Sequence, residues 1–85
     1  MKSVSVNDKI VLVVNVGGKF YAIGNKCTHF GGDLSKGMLE GTIVTCPRHH
    51  SQFDVTSGKR IKGPASKDEP VYEIKIEGQS IKIDV

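Results

Sequence analysis

The clearest pattern along the chain is alternation with a period of two, the mark of strands with one buried face. Ile10-Val11-Leu12-Val13-Val14-Asn15-Val16 is a β-branched apolar run, and Lys19-Phe20-Tyr21-Ala22-Ile23 is another. Gly17-Gly18 between them predicts a tight hairpin. Near the C-terminus Tyr72, Ile74 and Ile76 alternate with Glu73, Lys75 and Glu77. Ile81, Ile83 and Val85 then alternate with Lys82 and Asp84, so Glu77-Gly78-Gln79-Ser80 reads as the turn of a second hairpin. The face carrying its isoleucines is expected to be buried. Thr42-Ile43-Val44-Thr45 and Gln52-Phe53-Asp54-Val55 are shorter strand candidates, and Val4 to Val6 a short first strand. No long window carries a helical period. The pattern predicts an all-β domain of small antiparallel sheets. Between the hairpins, Gly24, Gly31, Gly32, Gly37 and Gly41 mark a stretch rich in loops.

Composition narrows the picture. The chain has 85 residues, enough for one small domain expected to span 1–85. Hydrophobic residues make up 38% and charged residues 25%, which excludes a disordered or fibrous chain. A chain this short buries only about 60–65% of its unfolded surface, so a metal or cofactor staple would help it fold. No apolar run approaches the ~20 residues that span a bilayer. Met1-Lys2-Ser3-Val4-Ser5-Val6-Asn7-Asp8 lacks the apolar core of a signal peptide, and a cytoplasmic location is expected. The net charge of +3 is too small to imply nucleic-acid binding, and no aromatic platforms interleave with the basic residues.

The candidate chemistry is concentrated in two short clusters, Cys27-Thr28-His29 and Cys46-Pro47-Arg48-His49, the latter followed by His50. The pattern is C-x-H, sixteen residues, then C-x2-H. Two lone cysteines could be small buried hydrophobes or a disulfide, and the histidines ordinary loop residues. A cysteine two or three residues before a histidine in both clusters instead favours a metal site. Two thiolates and two imidazoles would suit tetrahedral zinc, although zinc sites commonly group Cys with Cys and His with His. Two irons with unlike ligand pairs would also use the arrangement, with thiolates on one and imidazoles on the other.

The two clusters and their flanks resemble the Rieske [2Fe-2S] proteins, in particular their ferredoxins. Cys27-Thr28-His29-Phe30-Gly31-Gly32-Asp33-Leu34-Ser35 is similar to the first ligand loop of that family, and Cys46-Pro47-Arg48-His49 to the second. Phe53-Asp54, Thr56-Ser57-Gly58 and Gly63-Pro64-Ala65 follow as they do in the family. The resemblance implies a Rieske-like fold with a loop-rich cluster-binding subdomain and one [2Fe-2S] cluster. Cys27 and Cys46 would bind one iron, and His29 and His49 the other. Gly63-Pro64-Ala65 would be the proline loop covering the cluster, against a plain surface turn on composition alone. The implied function is an electron carrier, not an enzyme, moving single electrons between a reductase and an acceptor such as an oxygenase. The narrower reading is the ferredoxin component of an aromatic-ring dioxygenase, and the contrasting one a non-redox zinc or structural module.

Departures from the family pattern carry information. High-potential Rieske proteins join their ligand loops by a disulfide at positions matching Gly32 and Arg48, so that bridge is absent here. Their tyrosine donor to a ligand sulfur matches Phe53, whereas Ser51 matches their serine donor. A lost donor lowers the potential. His50 stands where the family usually has glycine, a strained position if φ is positive there. Lys59, Arg60, Lys62 and Lys67 form a basic run, and Lys26, Lys36 and Arg48 flank the ligand loops. These would either steer an acidic redox partner or form a solvated basic face.

Overall fold

The computed structural model describes residues 1–28, 31–48, 50–65 and 67–84. Two-residue turns build its first sheet. Strand β1 (Lys2–Val6) turns through Asn7-Asp8 into β2 (Lys9–Val16), which turns through Gly17-Gly18 into β3 (Lys19–Gly24). Both turns place two residues at positive φ, 48° and 65° in the first and 60° and 88° in the second. That geometry matches the right-handed twist of the flanking strands. After a single 3-10 turn at Leu34–Lys36, four short strands form a separate sheet: β4 (Met38–Glu40), β5 (Ile43–Thr45), β6 (Gln52–Asp54) and β7 (Arg60–Lys62). The chain then returns to the first sheet with β8 (Val71–Glu77) and β9 (Ser80–Asp84). The sheet orders are β1-β2-β3-β8-β9 and β4-β5-β6-β7, and all pairings are antiparallel.

The alternation decides which residues meet between the sheets. Leu12, Val14 and Ile23 from the first sheet join Val44 and Phe53 from the second, with Leu34, Val55, Ala65 and both cysteines in the same buried cluster. Both candidate cysteines are thus built into the core. No helix among the described residues is long and apolar enough to cross a membrane.

Three readings of the sequence change. Strands β4 and β7 lie outside the predicted elements; β7 has no buried residue to produce alternation. The strand from Val4 begins at Lys2. The isoleucine face of the C-terminal hairpin is only partly buried: Ile74 and Ile83 are half-buried, while Ile76 and Ile81 are exposed. The pairing explains this, because β8 meets β3 only at Tyr72 and Val71 and the rest of the hairpin runs on past it. Val85 lies outside the described residues.

Candidate metal centre

The first cysteine loop leaves β3 at Asn25, a buried polar residue whose groups are all used. Its N–H donates to the Ile10 carbonyl at 3.1 Å, and its own carbonyl accepts from Leu34 N–H at 2.9 Å. Its side chain donates to Asp33 Oδ1 at 2.8 Å and accepts from Ser35 N–H at 2.9 Å. The Ser35 hydroxyl and the Asn25 amide hold the Asp33 carboxyl below its ordinary range. Within this frame Cys27 N–H donates to the Gly32 carbonyl at 2.8 Å, and Gly31 N–H donates to the Cys27 carbonyl at 2.9 Å.

The second cysteine loop joins β5 to β6 and repeats that wiring. Cys46 N–H donates to the Ser51 carbonyl at 2.8 Å, and His50 N–H donates to the Cys46 carbonyl at 3.1 Å. His50 takes the positive φ of Gly31, 65° against 70°. The expected strain at this position is therefore present.

Residues 63–70, between β7 and β8, fasten the two loops together. Ala65 N–H donates to Ser51 Oγ of the second loop at 2.9 Å. Thr28 of the first loop donates its hydroxyl to the Lys67 carbonyl at 2.7 Å and its N–H to Glu69 Oε2 at 3.0 Å. Gly63-Pro64 is a cis peptide. Burial pushes the Glu69 carboxyl up to about 7, against the Thr28 N–H, which lowers it. Ala65 is itself buried, so Gly63-Pro64-Ala65 is more than a surface turn.

Cys27 and Cys46 are 3% and 1% exposed and share one apolar cluster, which keeps bulk water from both thiols. His29 and His49 lie outside the described residues. The frame fits a metal–sulfur group. A Cβ built on Gly32 would stand 2.7 Å from Cys46 Sγ, so any side chain there requires a neighbour to shift. The same Cβ would be 3.3 Å from Cβ of Arg48, close to the spacing of a disulfide pair. This agrees with the family positions assigned to Gly32 and Arg48. Ser51 and Phe53 are fully buried, and His50 is exposed. Asn25, Thr28 and Glu69 were not singled out as anchors from the sequence. A polar residue directly preceding the cysteine loop was the only local signal, and it pointed to Asn25 alone.

Buried paired cysteine loops closed by a proline loop on a two-sheet β framework define an iron–sulfur electron-transfer domain. The chain belongs to the Rieske [2Fe-2S] domain family, whose model matches residues 1–77, and its cofactor is a [2Fe-2S] cluster. It is 39% identical over 82 residues to the ferredoxin component of the naphthalene 1,2-dioxygenase system of Pseudomonas aeruginosa, covering 96% of this chain and 79% of that one. The ferredoxin of carbazole 1,9a-dioxygenase from Nocardioides aromaticivorans has the same fold, with a TM-score of 0.92 at 28% identity, over 96% of this chain and 81% of that one. The structure of a complex of reduced oxygenase and oxidized ferredoxin in carbazole 1,9a-dioxygenase matches with a TM-score of 0.91 at 30% identity, over 98% and 86%. The chain is an electron carrier of this ferredoxin kind rather than a catalytic subunit.

Proposed function

We propose that this chain is the ferredoxin of an aromatic-ring dioxygenase system, working in the cytoplasm as one domain over 1–85. It takes single electrons from a reductase and passes them to the terminal oxygenase. The observation that supports the reading best is the shared wiring of the two cysteine loops around buried Cys27 and Cys46. In this assignment Cys27 and Cys46 hold one iron, and His29 and His49 hold the other. The cluster, when bound, supplies a one-electron couple.

The chain's own residues do the rest. The apolar cluster shields the sulfurs, and residues 63–70 keep the loops from moving apart. Lys26, Lys36, Arg48 and Lys67 are exposed on or beside the loops, and Lys36 and Arg48 share a notch with Gly31 and Gly32. The nearby acids Asp33, Asp68 and Glu69 each accept from a backbone amide. That leaves a basic rim suited to an acidic partner surface.

The test is the EPR spectrum of the anaerobically reduced protein, followed by electron delivery to a dioxygenase oxygenase. A rhombic signal with the low average g of a histidine-ligated [2Fe-2S] centre is expected. A colourless protein holding zinc would overturn the reading in favour of a non-redox module.

A further inference from the structure

Glu69 is 4% exposed, yet no lysine or arginine among the described residues forms a salt bridge with it. Burying a carboxyl without full hydrogen bonding costs stability, so such a group calls for a reason. Its side chain has one hydrogen bond among the described residues, from Thr28 N–H to Oε2 at 3.0 Å. The other oxygen, Oε1, sits against Gly24, where a Cβ would come within 2.7 Å of it. The niche thus depends on a glycine at the end of β3. Asp8, Lys9, Lys26 and Tyr72 line the same cavity, of about 810 Å³, which opens onto Cys27.

The N–H that Glu69 holds belongs to the peptide linking Cys27 to Thr28. Thr28 is the one residue between Cys27 and His29. With the Thr28 hydroxyl on the Lys67 carbonyl, that residue is fixed at two points by the same segment. Fixing it sets the course of the backbone as it leaves Cys27, a side chain assigned as a ligand. We propose that Glu69 is a positioning residue for the cluster: through the Thr28 amide it fixes the peptide joining Cys27 to Thr28, and with it the direction in which the chain leaves the Cys27 ligand. This rests on the ligand assignment made above.

The experiment compares wild type, Glu69→Gln, Glu69→Leu and Gly24→Ala by EPR of the reduced protein and by the rate of cluster loss to a chelator. Gln keeps an acceptor for the Thr28 N–H, and Leu removes it. Glu69→Leu is expected to shift or broaden the g pattern and speed cluster loss by about tenfold, as for a buried donor left without its acceptor. Glu69→Gln is expected to keep the wild-type g pattern. Gly24→Ala, whose Cβ would stand 2.7 Å from Oε1 and 3.0 Å from the Pro70 ring, crowds the carboxylate without replacing it; it is expected to move the signal as Leu does, and it decides the question if the Leu variant does not fold. Wild-type g values in Glu69→Leu or, failing that protein, in Gly24→Ala overturn the proposal, whatever the melting temperature. Loss of the wild-type pattern in Glu69→Gln overturns it too. A wild-type protein with no such signal overturns the proposed function first, and this inference with it.

Discussion

Gly31 and His50 occupy the same station in two different loops. Each follows its cysteine by four residues, each donates its N–H to that cysteine's carbonyl, and their φ angles are 70° and 65°. Glycine takes this conformation freely, whereas an L residue meets its own carbonyl there. Histidine tolerates it better than most, so the strain at His50 is moderate. Replacing His50 with Gly is expected to stabilise the protein by about 0.5 kcal/mol after the entropy that glycine adds to the unfolded chain. For a domain of this size that is a rise in Tm of ~2–4 °C. A thermal melt of the variant that shows no rise, or a fall, contradicts the strain argument.

Gly32 is constrained by space. A Cβ there meets Cys46 Sγ at 2.7 Å and Cβ of Arg48 at 3.3 Å. Gly32→Ala is expected to cost about 1–3 kcal/mol through overpacking. It should also lower iron per chain, because the displaced atom is a proposed ligand. Iron and sulfide analysis of the purified variant checks this, and full occupancy would contradict the crowding argument.

Ser51→Ala removes the acceptor of the buried Ala65 N–H. An orphaned buried donor costs about 1–3 kcal/mol. Denaturant unfolding should show that loss. Voltammetry should show a lower potential, since the family resemblance gives this hydroxyl a donor role toward the cluster. An unchanged potential would remove that role from Ser51.

Phe53 fills the core with no exposed surface and brings no hydroxyl to the site. The wild-type potential is expected toward the low end of the ~ −150 to +300 mV Rieske range. Phe53→Tyr should raise it, because a new donor stabilises the more negative reduced state. Matching voltammograms from the two proteins would rule the effect out.

The Glu69 carboxyl, pushed up from 4.5 to about 7 by burial, makes stability depend on pH. The folded protein binds a proton there that the unfolded chain has already released. The contribution is fully present below about 4.5 and is lost as pH rises through about 7, a change on the order of 2–3 kcal/mol. Wild type should therefore lose stability relative to Glu69→Gln between pH 5 and 8. Parallel melting curves across that range would contradict the assignment.

The sequence carried the parts of this protein that are local. Strands β2 and β3 and their Gly17-Gly18 turn follow from alternation and backbone freedom. The pairing of cysteine with histidine pointed to two loops, and both cysteines sit in loops with one hydrogen-bond pattern. Strand β7 was hidden because it has no buried side chain, and β4 because its single half-buried residue, Leu39, is too little to make a period. The C-terminal hairpin misled for the opposite reason: its alternation is regular, but little of it lies against a neighbouring strand. Glu69 was invisible because its partner, Thr28, is 41 residues away. Nothing within Lys67-Asp68-Glu69-Pro70 distinguishes a buried carboxylate from a solvated one.

The fastening of both cysteine loops by residues 63–70 also orders events in time. Its contacts close spans of 14, 39 and 41 residues, so none can form as local structure. Closing such spans sacrifices chain entropy before any packing compensates, which places these contacts late in folding. During synthesis both cysteines emerge ahead of the segment that locks them. The nascent chain therefore carries both thiols before the segment that encloses them has been made.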